Sequence, residues 1–144
     1  MPGRSAADST TRKDISITIS VQTVATGLTI FVALGIIFIG IRECFQPSVA
    51  ARQFGVPLAT PADRDFLAIK ASRDIAPGVA VLALLAIGDH RAVAYAMLAL
   101  TLIPILDGVV VLKHADWIFK PAILIHWGTA AVMLMIVALF RGAM

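Results

Sequence analysis

The chain has a single cysteine, a single tyrosine and two tryptophans among 144 residues. With only Cys44 present, no intrachain disulfide can form and no zinc site of the cysteine type can be built. Charge is scarce as well: Asp, Glu, Lys and Arg make up 15% of the residues, against roughly a quarter in soluble domains. The chemical motifs that announce common activities are missing. There is no P-loop, no glycine-rich phosphate loop following a strand, no Gly-x-Ser-x-Gly and no Cys-x-x-Cys, so nothing points to nucleotide binding, nucleophile-elbow hydrolysis or dithiol exchange. No stretch interleaves basic and aromatic side chains. The net charge of +3 comes mostly from Lys and Arg flanking apolar runs, which is the pattern of headgroup contact, and nucleic acid is excluded as a partner.

What the sequence has in quantity is apolar surface. Hydrophobic residues make up 59% of the chain, more than one soluble domain of this size can bury, so the lipid bilayer is the expected solvent and partner. Between Asp14 and Arg42 there is no charged residue, and Val21 to Ile41 covers ~30 Å as a helix, one hydrocarbon core. Residues 1–20 are largely polar, and the run that follows is too long for a signal-peptide core. Residues 1–15 are therefore expected to be a disordered tail, and the first span a retained anchor.

A second helix starts at Thr60-Pro61-Ala62-Asp63, with a capping hydroxyl, proline at the first helical position and an early acid. Only Ile75 to Ile87 within it is continuously apolar, so its charged turn must lie partly inside the membrane. The third span holds Pro104 and Asp107, and the fourth Pro121, His126 and Trp127. Short links around Gly88–Arg91 and Lys113–Asp116 make neighbouring helices antiparallel. His90 and His114 in those links are read as solvated, and Trp117, Trp127 and Tyr95 as members of interfacial belts, with Trp127, next to His126, the one of the three best placed to line a pocket. Between spans 1 and 2, Pro47-Ser-Val-Ala-Ala-Arg-Gln-Phe54 followed by Gly55 reads as a short helix in the interface plane. The expected fold is all-α: one domain over 16–144, a four-helix transmembrane bundle with spans near 21–41, 61–88, 92–112 and 118–140. Multi-pass membrane location follows, but the orientation does not. Five flanking Lys and Arg lie on each side, and counting Lys70 and Arg73 only weakly favours a cytoplasmic long link.

The few charges inside the spans are informative because each costs at least ~2.5 kcal/mol in hydrocarbon. Asp74 is 14 residues from Gly88, Asp107 is 15 from Ala92, and His126 is 14 from Phe140. In an up-down bundle all three then lie at one depth, ~8 Å inside the side bearing the long link. Arg42 and Glu43 end span 1 on that side, Lys70 precedes Asp74 by one helical turn, and Arg73 adjoins it. Asp74 and Gly78 share one helix face; His126, Thr129 and Met133 share another.

Two readings of this set are open. His126, with Asp107 orienting it and Asp74 held by Arg73 or Lys70, makes a catalytic acid–base group. Arg73, Lys70, Arg42, Glu43, Trp127 and Thr129 would then bind substrate. Alternatively the same groups are interhelical glue, answering each other and the carbonyls freed by Pro77 and Pro104. Long side chains near the interface, Lys70, Arg42 and Lys120 above all, also suit snorkelling to the headgroups. One His with two Asp lacks a second His for a metal triad, and neither metal nor cofactor is expected. Cys44, beside Arg42 and Glu43 at a helix end, fits interfacial packing better than S-palmitoylation.

The order Gly40-x-Arg42, Pro47, Phe54-Gly55-x-Pro57, Lys70-x-x-Arg73-Asp74, Gly78, Asp107-Gly108 and His126-x-Gly128-Thr129 resembles a family of small four-span membrane proteins. That family is catalogued as a domain of unknown function and is distantly DoxX-like. The likeness covers residues ~25–140. It implies four-span architecture and the same polar residues, and carries no reaction. Its members occur in fungi and bacteria, some beside natural-product pathways, which implies a lipophilic small-molecule substrate. The leading functional expectation is thus a lipophile-binding membrane protein whose polar site performs isomerisation or cyclisation. The alternatives are a scaffold whose charges are structural, and a small proton-coupled transporter. Transport is disfavoured because the far half of the bundle contains no ionisable residue, and it would require a homo-oligomer.

Overall fold

The computed structural model describes the backbone of residues 6–53, 60–114 and 120–143, and side chains within those stretches except near their ends. Six helices follow one another: α1 (Ala6–Phe45), α2 (Pro47–Gln53), α3 (Pro61–Ile87), α4 (His90–Leu100), α5 (Leu102–His114) and α6 (Lys120–Gly142). There is no strand among the described residues. α1 begins inside the stretch expected as a tail. Phe54, Gly55 and Trp117, assigned above to the interfacial helix or the aromatic belts, lie outside the described residues.

The helix boundaries follow from local chemistry. The backbone N–H of Thr60 donates to the Asp63 carboxylate at 2.7 Å, which closes the start of α3. Gly88 ends it at φ 81°, a left-handed cap that side chains resist. Asp89 then accepts from the Ala92 N–H at 2.9 Å and opens α4. The third span is one apolar stretch, His90–Lys113, with a one-residue interruption between α4 and α5 at Thr101, whose backbone is itself helical. Pro104 has no N–H for the Leu100 carbonyl, which accounts for an interruption one turn before it. The Thr101 hydroxyl stays satisfied by donating to Met97 O at 2.7 Å.

Among the described residues three helical stretches, not four, are long and apolar enough to cross a membrane: Asp14–Phe45, His90–Lys113 and Pro121–Gly142. α3 falls short because Lys70, Arg73 and Asp74 interrupt its first half. Large apolar side chains cover the outside, among them Phe31, Phe38, Leu106 and Leu124. Their outward direction is that of a protein with lipid as its solvent.

Packing is uneven along the bundle. α1 lies closely on α3; α6 lies against α1, α4 and α5; and α3 touches α4 while making at most slight contact with α5. The tight α1–α3 seam rests on glycines. A Cβ on Gly78 would stand 2.8 Å from the Ala33 carbonyl oxygen, and one on Gly40 2.8 Å from that of Ala71. The buried core is Ala25, Val32, Ala33, Val81, Val93, Ala94, Met97, Met133, Ile136, Val137 and Phe140. It fills the half of the bundle nearest the Gly88 turn. His90 belongs to it as well: its ring stacks on Phe140 at 5.4 Å, so this link histidine is half-buried, not solvated. The other half, beyond the interruption at Thr101, is where the helices separate.

Candidate functional site

That separation leaves a cavity of about 490 Å³ lined by all six helices. Its apolar wall is made by Val32, Ile36, Val81, Met97, Leu100 and Met133, and its other end by Glu43, Lys70, Asp74, Asp107 and His126. A second cavity of about 320 Å³ lies between α3 and α5, with Phe66, Ile69 and Val110 exposed along it. Lys70, Arg73, Asp74, Ile103 and Asp107 border both.

Lys70 is the hub of the polar end. Its ammonium donates to Asp74 Oδ2 at 2.7 Å, one helical turn away, and to Glu43 Oε1 at 3.1 Å and Oε2 at 3.4 Å across the α1–α3 seam. Asp107 Oδ2, from α5, is 3.9 Å from the same nitrogen. Three carboxylates from three helices thus surround one cation. The inner two are well shielded, with side chains 5% (Glu43) and 11% (Asp74) exposed, while Asp107 is 29% exposed and faces the open space. Glu43 reaches Lys70 because Gly40, one turn earlier on α1, lets α3 approach its backbone. His126, on α6, is half-buried and lines the same cavity as these charged groups. Among the described residues no buried side-chain nitrogen or oxygen is left without a hydrogen bond, and no group of His, Cys, Asp and Glu is arranged to hold a metal ion.

A model of a domain of unknown function, DUF4267, matches residues 33–140. The chain belongs to the DUF4267 family. The matched part of this DUF4267 chain runs from the α1–α3 contact at Ala33 to the buried Phe140 and contains every residue of the polar end. No match was found among curated proteins or among solved structures, and the likeness to DoxX-type proteins is not carried by these findings.

The placement of the expected residues is specific. Asp74, Asp107, His126, Lys70, Glu43, Arg42, Arg73 and Thr129 all border the large cavity. Asp74 is held by Lys70; Arg73, the other candidate, is exposed where it borders both cavities. The Thr129 hydroxyl donates to Ile125 O at 2.8 Å within its own helix, so it contributes shape and not a free donor. Trp127 is not among the lining residues. It follows His126 by ~100° around α6 and so turns to α5, where its indole packs on Gly108. Glu43 as the second partner of Lys70, and Met97 and Pro104 as lining residues, emerge only from the packing. Pro104 carried a signal in the sequence, as a helix breaker, but not one that named a cavity.

Proposed function

We propose that the chain is a four-span integral membrane protein that binds a lipophilic small molecule in the 490 Å³ cavity. A volume in the range of small-molecule sites, with apolar walls ending on a few convergent polar groups, is the observation that carries the reading. α3 serves as the fourth span: its charged turn faces the bundle, where Lys70 and Asp74 find partners, and Ile75–Ile87 supplies the apolar length. α2 caps the charged half at the membrane interface, contributing Val49 and Arg52 to the lining. The packed core closes the opposite half, which argues against a route through the bundle.

The chemistry such a site supports is acid–base isomerisation or cyclisation. His126 gives or takes a proton at the substrate, and Asp107, which lines the same cavity, stabilises the imidazolium that forms. Lys70 engages Asp74 and Glu43 in ion pairs at 2.7 and 3.1 Å, so the outer carboxylate is the one available to the imidazole. A second reading, a structural brace, has its own support in the complete pairing of the buried polar side chains.

The test is mass spectrometry of the protein extracted in native lipid discs without detergent. A retained small molecule that is lost in Ile103→Trp, which fills the wall shared by both cavities, supports binding. Identical contents in the two preparations overturn it in favour of the brace.

A further inference from the structure

The mouth of the large cavity carries a feature that acid–base chemistry does not use. Arg42 from α1, Arg52 from α2 and Arg73 from α3 all line it, and none is in an ion pair among the described residues. The carboxylates of the same cavity are in the opposite condition, gathered on Lys70. Four cations therefore share the lining with three carboxylates, a net +1, and the three guanidiniums stand apart from the carboxylates gathered on Lys70. Guanidinium groups present planar forks of donors that match carboxylate and phosphate oxygens, and they are worth most where water is partly excluded. Arg42 is half-buried; Arg52 and Arg73 are exposed. Behind them the wall is apolar as far as Met97 and Met133.

We infer that the ligand is an amphiphile with a single apolar chain and an anionic head, the head on Arg42, Arg52 and Arg73 and the chain along the wall of α1, α4 and α6. This rests on the lipophile-binding reading and names its substrate class. A neutral lipophile would leave three guanidiniums without use, and a cationic one would meet them at the rim. The head chemistry is shared with the phosphates of bulk anionic lipids, so a test must separate a ligand in the cavity from headgroups around it.

The probes are oleate and oleyl alcohol, which share a chain and differ in head charge. Each is titrated at pH 8.5 into protein in phosphatidylcholine nanodiscs, with thermal unfolding as the readout, since a ligand of the folded state raises the transition. Oleate should reach its half-maximal effect at a concentration at least tenfold lower than oleyl alcohol. Arg42→Gln/Arg73→Gln should equalise the two, Arg42→Lys/Arg73→Lys should restore part of the preference, and Ile103→Trp should remove both effects. Equal response of the wild type to the two probes overturns the anionic class and leaves lipophile binding standing. No response to either, together with identical native contents in Ile103→Trp, removes both. A preference that vanishes in phosphatidylglycerol discs assigns the arginines to bulk headgroups and also overturns the proposal.

Discussion

Replacing Lys70 with methionine is the sharpest perturbation of this structure, because it keeps the volume and removes the only cation within the carboxylate cluster. With distances of 2.7, 3.1 and 3.9 Å to Asp74, Glu43 and Asp107, the gross attractions at an effective dielectric near 20 are about 6, 5 and 4 kcal/mol. Most of that is offset in the intact protein by taking the ammonium and carboxylates out of water. Deletion does not return the offset, since Glu43 and Asp74 stay buried and now repel each other. Removing one partner of such an arrangement costs about 3–5 kcal/mol. The loss is measured as the shift in free energy of unfolding during SDS titration in mixed micelles. Adding Glu43→Gln and Asp74→Asn to Lys70→Met removes the stranded charges and should recover more than half of it. A loss under ~1 kcal/mol, which is the scale of exposed pairs, or a triple variant no better than the single one, refutes the reasoning.

The same titration ranks the other elements of the design. Asp74→Asn gives up a charged hydrogen bond at 2.7 Å and should cost about 1.5–3 kcal/mol, whereas the more open Asp107→Asn should stay within ~1 kcal/mol. The reverse order would mean that Asp107, not Asp74, anchors the cluster. Gly78→Ala places a methyl 2.8 Å from the Ala33 carbonyl and should cost about 1–3 kcal/mol, while Gly27→Ala, with open space around it, should be neutral or stabilising by up to ~1 kcal/mol. Equal effects at the two glycines would show that the seam does not depend on close backbone approach.

Much of this arrangement was legible because membrane sequences constrain depth. The Gly88–Asp89 turn and the Thr60–Asp63 start of the second helix mark where helices stop and start, whereas the charge-free run after Asp14 did not locate the start of α1 at Ala6; counting from the helix ends puts Asp74, Asp107 and His126 at one expected level. The i,i+4 spacing of Lys70 and Asp74 likewise survives as an ion pair. What composition could not supply was rotation and register between helices. Glu43 meets Lys70 only because α1 and α3 lie glycine to backbone, a relation with no local signature. Trp127 was assigned to the pocket by adjacency to His126, yet neighbours on a helix point ~100° apart. The charges of α3 show the same limit: they lower its hydropathy below that of a membrane-crossing segment, and only the partners across the bundle show which way they face. Pro104 was read as freeing a carbonyl; it also coincides with the one-residue interruption at Thr101 and lines the cavity.

The contact between α3 and α5 is at most slight, with the smaller cavity in the gap, and this sets how a ligand of the proposed kind would be delivered. If such a ligand entered sideways through that gap from the bilayer, the reservoir the site draws on would be two-dimensional. Occupancy then depends on mole fraction among lipids and hardly at all on aqueous concentration. Two molecules with equal contacts to the walls would differ in apparent potency by the ratio of their partition coefficients. Diluting the membrane with inert lipid would empty the site, while diluting the suspension with buffer would leave it filled.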